Sequence, residues 1–151
     1  MKGVKHILLV EDDPHDVELA LAGLTEYNLV NKIVVARDGE EALDYLYRRG
    51  KFADRIGGNP AVVLLDLKLP KIGGLEVLRQ MKSDATLKVV PVVILTSSRE
   101  DRDMVEGYKL GTNAYVVKPV DFHQFVDAIK HIGAFWAVIN EPPPGSKNKQ
   151  S

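Results

Sequence analysis

At 151 residues, 45% hydrophobic and 27% charged, the chain is long enough for one domain with a sizeable core, and this composition argues against disorder over the whole length. A formal net charge of -1 gives no broad electrostatic reason to bind nucleic acid or an anionic membrane. Without cysteine, disulfides and thiolate metal sites are excluded.

The first apolar run, HILLV, reads as a strand and turns acidic at once in EDDP. It is too short for a signal-peptide core or a membrane span, so a cytoplasmic protein is expected. From Asp16 the apolar residues Val17, Ala20, Leu21 and Leu24 recur at helical spacing. KIVVA is a second strand, followed after Asp38-Gly39-Glu40 by a helical stripe of Ala42, Leu43 and Leu46. Residues 48–60, RRGKFADRIGGNP, form a long polar loop before the third strand, AVVLL. Leu75, Leu78 and Met81 follow Gly73-Gly74 as a helix, and PVVIL is the fourth strand. Met104, Val105, Tyr108 and Leu110 make a weaker stripe, AYVVK is the fifth strand, and Phe122, Phe125, Val126, Ile129, Ile132 and Trp136 make a long core stripe. Residues 141–151 are a Pro-rich polar tail, which leaves one domain over residues 1–140.

The strands are Val-, Ile- and Leu-rich and largely unalternated, as in a parallel sheet covered on both faces. Five strand–helix alternations predict an α/β fold: a five-stranded, doubly wound, flavodoxin-like parallel sheet with five helices. One strand end is unusual. The run Ala61 to Leu65 ends on Asp66, and a carboxylate there loses water unless something pairs with it. Asp66 is therefore a turn cap or part of a site. In open parallel sheets functional groups gather beyond the carboxyl ends of the strands. Those ends carry Glu11, Asp12 and Asp13, then Asp66, then Thr96 and Ser97, then Lys118 before Pro119. Carboxylates without sulfur or a histidine set favour a hard cation such as Mg²⁺. Lys118 and Thr96 suit an arriving phosphoryl group, with Asp66 as its nucleophile. Asp13 suits a helix cap, and His6, His15, His123 and His131 lack metal-ligand spacing and read as surface residues.

The motifs VEDDP, LLDLKLP, GGLEVL, VVILTSS and AYVVKP, in this order, resemble the receiver domain of two-component response regulators over the chain to about Asn140. The resemblance implies strand order 2-1-3-4-5 and a phosphoacceptor at Asp66, in a protein that is not an enzyme but assists its own phosphorylation and dephosphorylation. It implies a Mg²⁺ pocket of Glu11, Asp12, Asp66 and the backbone carbonyl of Lys68, with Asp12 the more direct ligand than Glu11. Thr96 would be the hydroxyl that swings to the phosphoryl group, Lys118 the lysine that pairs with it, and Tyr115 the switching aromatic. A cis Lys118-Pro119 bond is implied as well. The loop KFADRIGGNP and the ending FWAVINEPPP are similar to stand-alone receivers paired with bacterial and cyanobacterial phytochrome histidine kinases. A sensor histidine kinase or phosphotransfer protein is thus the expected partner, with no nucleic acid or membrane. The side chain of Lys68, two residues past the acceptor, would line the phosphoryl site.

Other readings fit less well. A haloacid-type phosphatase has a second Asp where Lys68 stands, and EDDPHD would repel a flavin phosphate. A degenerate receiver, binding without phosphorylation, would lack the acceptor or the lysine. Near the end, Phe135, Trp136, Val138 and Ile139 spread round a helix beyond what one core covers. They predict a homodimer interface shared with Tyr115, unless residues 48–60 fold over them.

Overall fold

The computed structural model describes residues 5–25 and 32–141; the tail beyond Glu141 lies outside them. Five strands, β1 (Ile7–Val10), β2 (Ile33–Ala36), β3 (Val62–Leu65), β4 (Val92–Thr96) and β5 (Ala114–Val117), form one parallel sheet in the order β2-β1-β3-β4-β5. They alternate with α1 (Pro14–Leu24), α2 (Gly39–Tyr47), α3 (Gly74–Ser83), α4 (Asp101–Leu110) and α5 (Phe122–Gly133). The expected doubly wound fold is the one found.

Successive strand residues point to opposite faces. Ile7, Leu9, Val62, Leu64, Val93 and Leu95 pack with Val17, Ala20 and Leu24 of α1 and Phe125 and Ile129 of α5. Leu8, Val10, Val63, Leu65, Val92 and Ile94 pack on the other face with α2 and α3 residues such as Leu43, Leu78 and Met81. Central strands β1, β3 and β4 are buried throughout, which is why their runs are unalternated.

Local chemistry sets the helix starts. The Asp13 carboxylate accepts from the N–H groups of His15 (2.8 Å) and Asp16 (3.4 Å), with Pro14 at the first helical position. Asp38 and Asp121 cap α2 and α5 in the same way. At Gly74 the reason is space: a Cβ there would collide with the Asp66 carbonyl oxygen and lie 2.7 Å from the Leu67 Cα. Only glycine lets the start of α3 rest on the backbone of the β3 end.

Several expectations need correction. Phe122 is exposed rather than core, because it opens α5 at the rim, where its ring lies against that of His123. Val105 and Tyr108 on α4 are also exposed, so only Met104 and Leu110 of that stripe are turned inward, with Leu110 packed on the core. His6 is half-buried, with its Nε2 2.9 Å from the Tyr45 hydroxyl. After α5 the chain widens into a π-helical stretch, Ala134–Ile139, closed by the Asn140 N–H on the Phe135 carbonyl at 2.6 Å. The wider turn puts Ala137 in the core and half-buries Trp136 against it, leaving Phe135 and Ile139 47% and 67% exposed. Residues 48–60 do not cover this end. Arg48 instead bonds the carbonyls of Arg55 and Gly57, and Arg55 lies over the Tyr45 ring of α2 at 4.0 Å.

Candidate functional site

The crevice at the carboxyl ends of β1, β3, β4 and β5 brings the predicted residues together. Glu11 follows β1, its N–H held by the Ala36 carbonyl of β2 at 2.9 Å. Its buried carboxylate accepts from the Asp13 N–H (3.1 Å) and from Lys118 Nζ (2.7 Å). Asp66 follows β3, with its N–H on the Val10 carbonyl at 3.1 Å. Its Oδ1 accepts from the Leu67 N–H at 2.7 Å and its Oδ2 from Lys118 Nζ at 3.2 Å. Asp66 is thus buried and oriented from two sides, which a turn cap would not require. Asp12 is exposed at the rim.

Lys118 follows β5, and its N–H donates to the Thr96 carbonyl at 2.7 Å. Its side chain, 10% exposed, makes a third bond that the sequence did not disclose, to Asp16 Oδ2 on α1 at 2.7 Å. Burial opposes its charge, yet the bonds from Asp16 and Glu11 outweigh this and hold the ammonium above the usual lysine range. Burial, reinforced by the neighbouring Asp66 charge, pushes the Glu11 carboxyl up to about 7 despite Lys118 and the Asp13 N–H. The bond from Lys118 to Pro119 is trans, correcting the cis expectation. The tertiary amide prefers trans by about 0.5–1 kcal/mol, and with it trans Lys118 meets all three carboxylates.

Thr96 is fully buried, and its Oγ1 accepts from the Ser98 N–H at 3.4 Å. Ser97, named with it from sequence, is exposed; Ser98 turns inward instead. The Ser98 hydroxyl donates to Asp103 Oδ2 at 2.6 Å, and the Ser98 carbonyl accepts from the Tyr115 hydroxyl at 3.1 Å. A connected path therefore runs from Thr96 through Ser98 to α4 and β5. Lys68 is exposed, two residues beyond Asp66.

The donor set can be tested for a cation. Glu11, Asp12 and Asp66 each offer an oxygen, all within 4.8 Å of one another. Three carboxylates, one of them open to solvent, fit a hard divalent cation that keeps part of its water. Among the described residues no helix is long and apolar enough to cross a membrane.

A doubly wound sheet whose central crevice joins a strand-end aspartate, an acidic cluster, a buried hydroxyl and a lysine is the architecture of a signalling receiver. Residues 7–130 match the response regulator receiver domain, and the chain belongs to that family of two-component systems. It is 35% identical over 132 residues to response regulator Rcp1 of Synechocystis sp., covering 87% of this chain and 88% of that protein. The structure of the Mn(2+)-bound form of Rcp1 has a TM-score of 0.85 at 34% identity, covering 92% of this chain and 99% of that one. The phosphorylated cyanobacterial phytochrome response regulator RcpA gives 0.86 at 38% identity, with 93% and 99% covered. Bacteriophytochrome response regulator RtBRR is 62% identical, with 95% and 86% covered and a TM-score of 0.74.

Proposed function

We propose that this chain is a response regulator receiver that accepts a phosphoryl group on Asp66 from the phosphohistidine of a sensor histidine kinase or phosphotransfer protein. The observation that carries the reading is the convergence of Lys118 on Asp66 and Glu11 beside the Asp12 carboxylate. In the transfer the phosphorus–nitrogen bond of the donor breaks and a phosphorus–oxygen bond to an Asp66 carboxylate oxygen forms. Glu11, Asp12, Asp66 and the Lys68 carbonyl would hold Mg²⁺, which when bound neutralises charge on the phosphoryl oxygens. Lys118 orients the acceptor and supplies an ammonium to the incoming group. Thr96 turns its hydroxyl toward that group, and Ser98 and Tyr115 carry the change to the surface of α4 and β5.

Such a protein acts by its phosphorylated state rather than by turning over a substrate, as a cytoplasmic receiver unit over residues 1–140 with residues 141–151 appended. The likeness to RcpA and RtBRR supports a phytochrome kinase as the donor. A phosphorylation-independent binding module would not need the acceptor and lysine placed together, and a haloacid-type phosphatase would need an acid where Lys68 stands. Incubating the full chain with acetyl phosphate and Mg²⁺ should add one phosphoryl group by mass, and EDTA should prevent it. No mass gain under either condition sinks the reading.

The same reading extends to assembly. Phe135 and Ile139 at the end of α5 are exposed, as are Val105 and Tyr108 on α4. A second copy would cover such apolar surface by two-fold symmetry, in an interface that takes in the half-buried Tyr115 and Trp136. Sedimentation should show a micromolar dimer that a Phe135→Ala, Ile139→Ala double variant weakens at least about tenfold. A wild type that stays monomeric with and without phosphorylation rules the dimer out.

A further inference from the structure

Lys118 has three N–H donors, and three carboxylates take them: Glu11 at 2.7 Å, Asp16 at 2.7 Å and Asp66 at 3.2 Å. The weakest contact is to the acceptor itself. Asp16 therefore holds the ammonium as closely as Glu11 does, and more closely than Asp66. We propose that Asp16 is a positioning residue that parks Lys118 in the unphosphorylated protein and competes with the phosphoryl group for its ammonium. The proposal rests on the phosphoacceptor reading above.

The geometry says which bond yields when the phosphoryl group arrives. That group brings about -1.5 to -2 charges and three acceptor oxygens to Asp66. The donor now on Asp66 passes to the phosphoryl group, and drawing the ammonium onto that group stretches its bonds to Glu11 and Asp16 until one of them yields. Glu11 is the costly one to abandon, because its side chain is only 4% exposed and water cannot reach it to replace the lost bond. Asp16 is the inexpensive one. Its side chain is 20% exposed, so water can replace the lost partner. It also sits in the first turn of α1, where the N-terminal end of the helix favours a free carboxylate. Asp16 thus acts as a releasable hold, and its release couples the first turn of α1 to the state of Asp66. Its charge sets how strongly the phosphoryl group must pull to win the lysine.

Asp16→Asn keeps the side-chain shape and removes the charge, so the ammonium is held less firmly away from Asp66. The test uses the full chain with Mg²⁺ and beryllofluoride, a stable stand-in for a phosphoryl group on a carboxylate. Asp16→Asn should lower the half-saturating beryllofluoride concentration by about fivefold or more. The ¹⁵N resonance of the Lys118 ammonium in the ligand-free protein should shift in the variant. In a Lys118→Ala background the same substitution should change binding by less than about twofold, since the two effects share one interaction. Asp16→Ser makes the same comparison if the amide variant fails to fold. Unchanged or weaker binding in Asp16→Asn overturns the proposal, and so does a fivefold gain that persists without Lys118. A wild type that neither binds beryllofluoride nor takes a phosphoryl group from acetyl phosphate overturns the underlying reading, and the proposal with it.

Discussion

Asp66→Asn is expected to lose phosphoryl incorporation to at least about a hundredfold below wild type, because the amide retains the shape and lacks the nucleophilic oxygen. The amide oxygen can still accept from the Leu67 N–H, the bond that Asp66 Oδ1 makes at 2.7 Å, so the loop should keep its fold. Removing one of the clustered carboxylates also relieves repulsion with Glu11 and Asp12. Loss of label with an unchanged or raised melting temperature is therefore the expected pair of results. Mass spectrometry of peptides from labelled wild type and variant checks it. Label at the wild-type level in the variant, without migration to a neighbouring residue, makes the acceptor assignment wrong.

The second large effect concerns Lys118. Removing one partner of a buried ionic cluster leaves the others uncompensated, which costs about 3–5 kcal/mol in comparable sites. Lys118→Ala leaves Glu11, Asp16 and Asp66 without their shared cation. The lower end, about 3 kcal/mol, is expected because Glu11, already pushed up to about 7 by burial, can take a proton. Saturating Mg²⁺ should recover much of the loss by restoring positive charge to the pocket. Urea denaturation of wild type and variant, each in EDTA and in Mg²⁺, measures both quantities. The variant should still accept some phosphoryl group while Tyr115 no longer responds to it. Equal stability of the two proteins in EDTA would contradict this account of the cluster.

Much of this arrangement was legible in the sequence. Val- and Leu-rich runs ending on Glu11, Asp66, Thr96 and Lys118 are a pattern that a parallel sheet turns directly into proximity, because its strands all end at one edge. What escaped lay off the strands. Asp16 is on a helix, and nothing in its spacing from the EDD run shows that it faces β5. It stands in an acidic stretch where solvated carboxylates are common, and its place in the first turn after the EDD run is the one signal the sequence carries. Ser97 and Ser98 are adjacent hydroxyls, and which one turns inward depends on the path of the loop into α4. The end of α5 departs from its sequence pattern for a different reason. A 3.6-residue period scatters Phe135, Trp136 and Ile139 round a cylinder, whereas the π-helical turn returns Ala137 and part of Trp136 to the core.

The span of the lysine cluster also bears on how the protein comes to exist. Glu11 and Lys118 are 107 positions apart, and Asp66 and Lys118 are 52 apart, with β4 laid between β3 and β5. Closing such long loops is entropically slow and is rewarded only late in folding. A nascent or proteolytically shortened chain ending before residue 118 holds every acid of the pocket and none of its cation. Its carboxylates repel one another without the lysine that holds them together. Assembly of the pocket is thereby coupled to completion of the fifth strand, and a chain cut before residue 118 should take up far less phosphoryl group than the whole one.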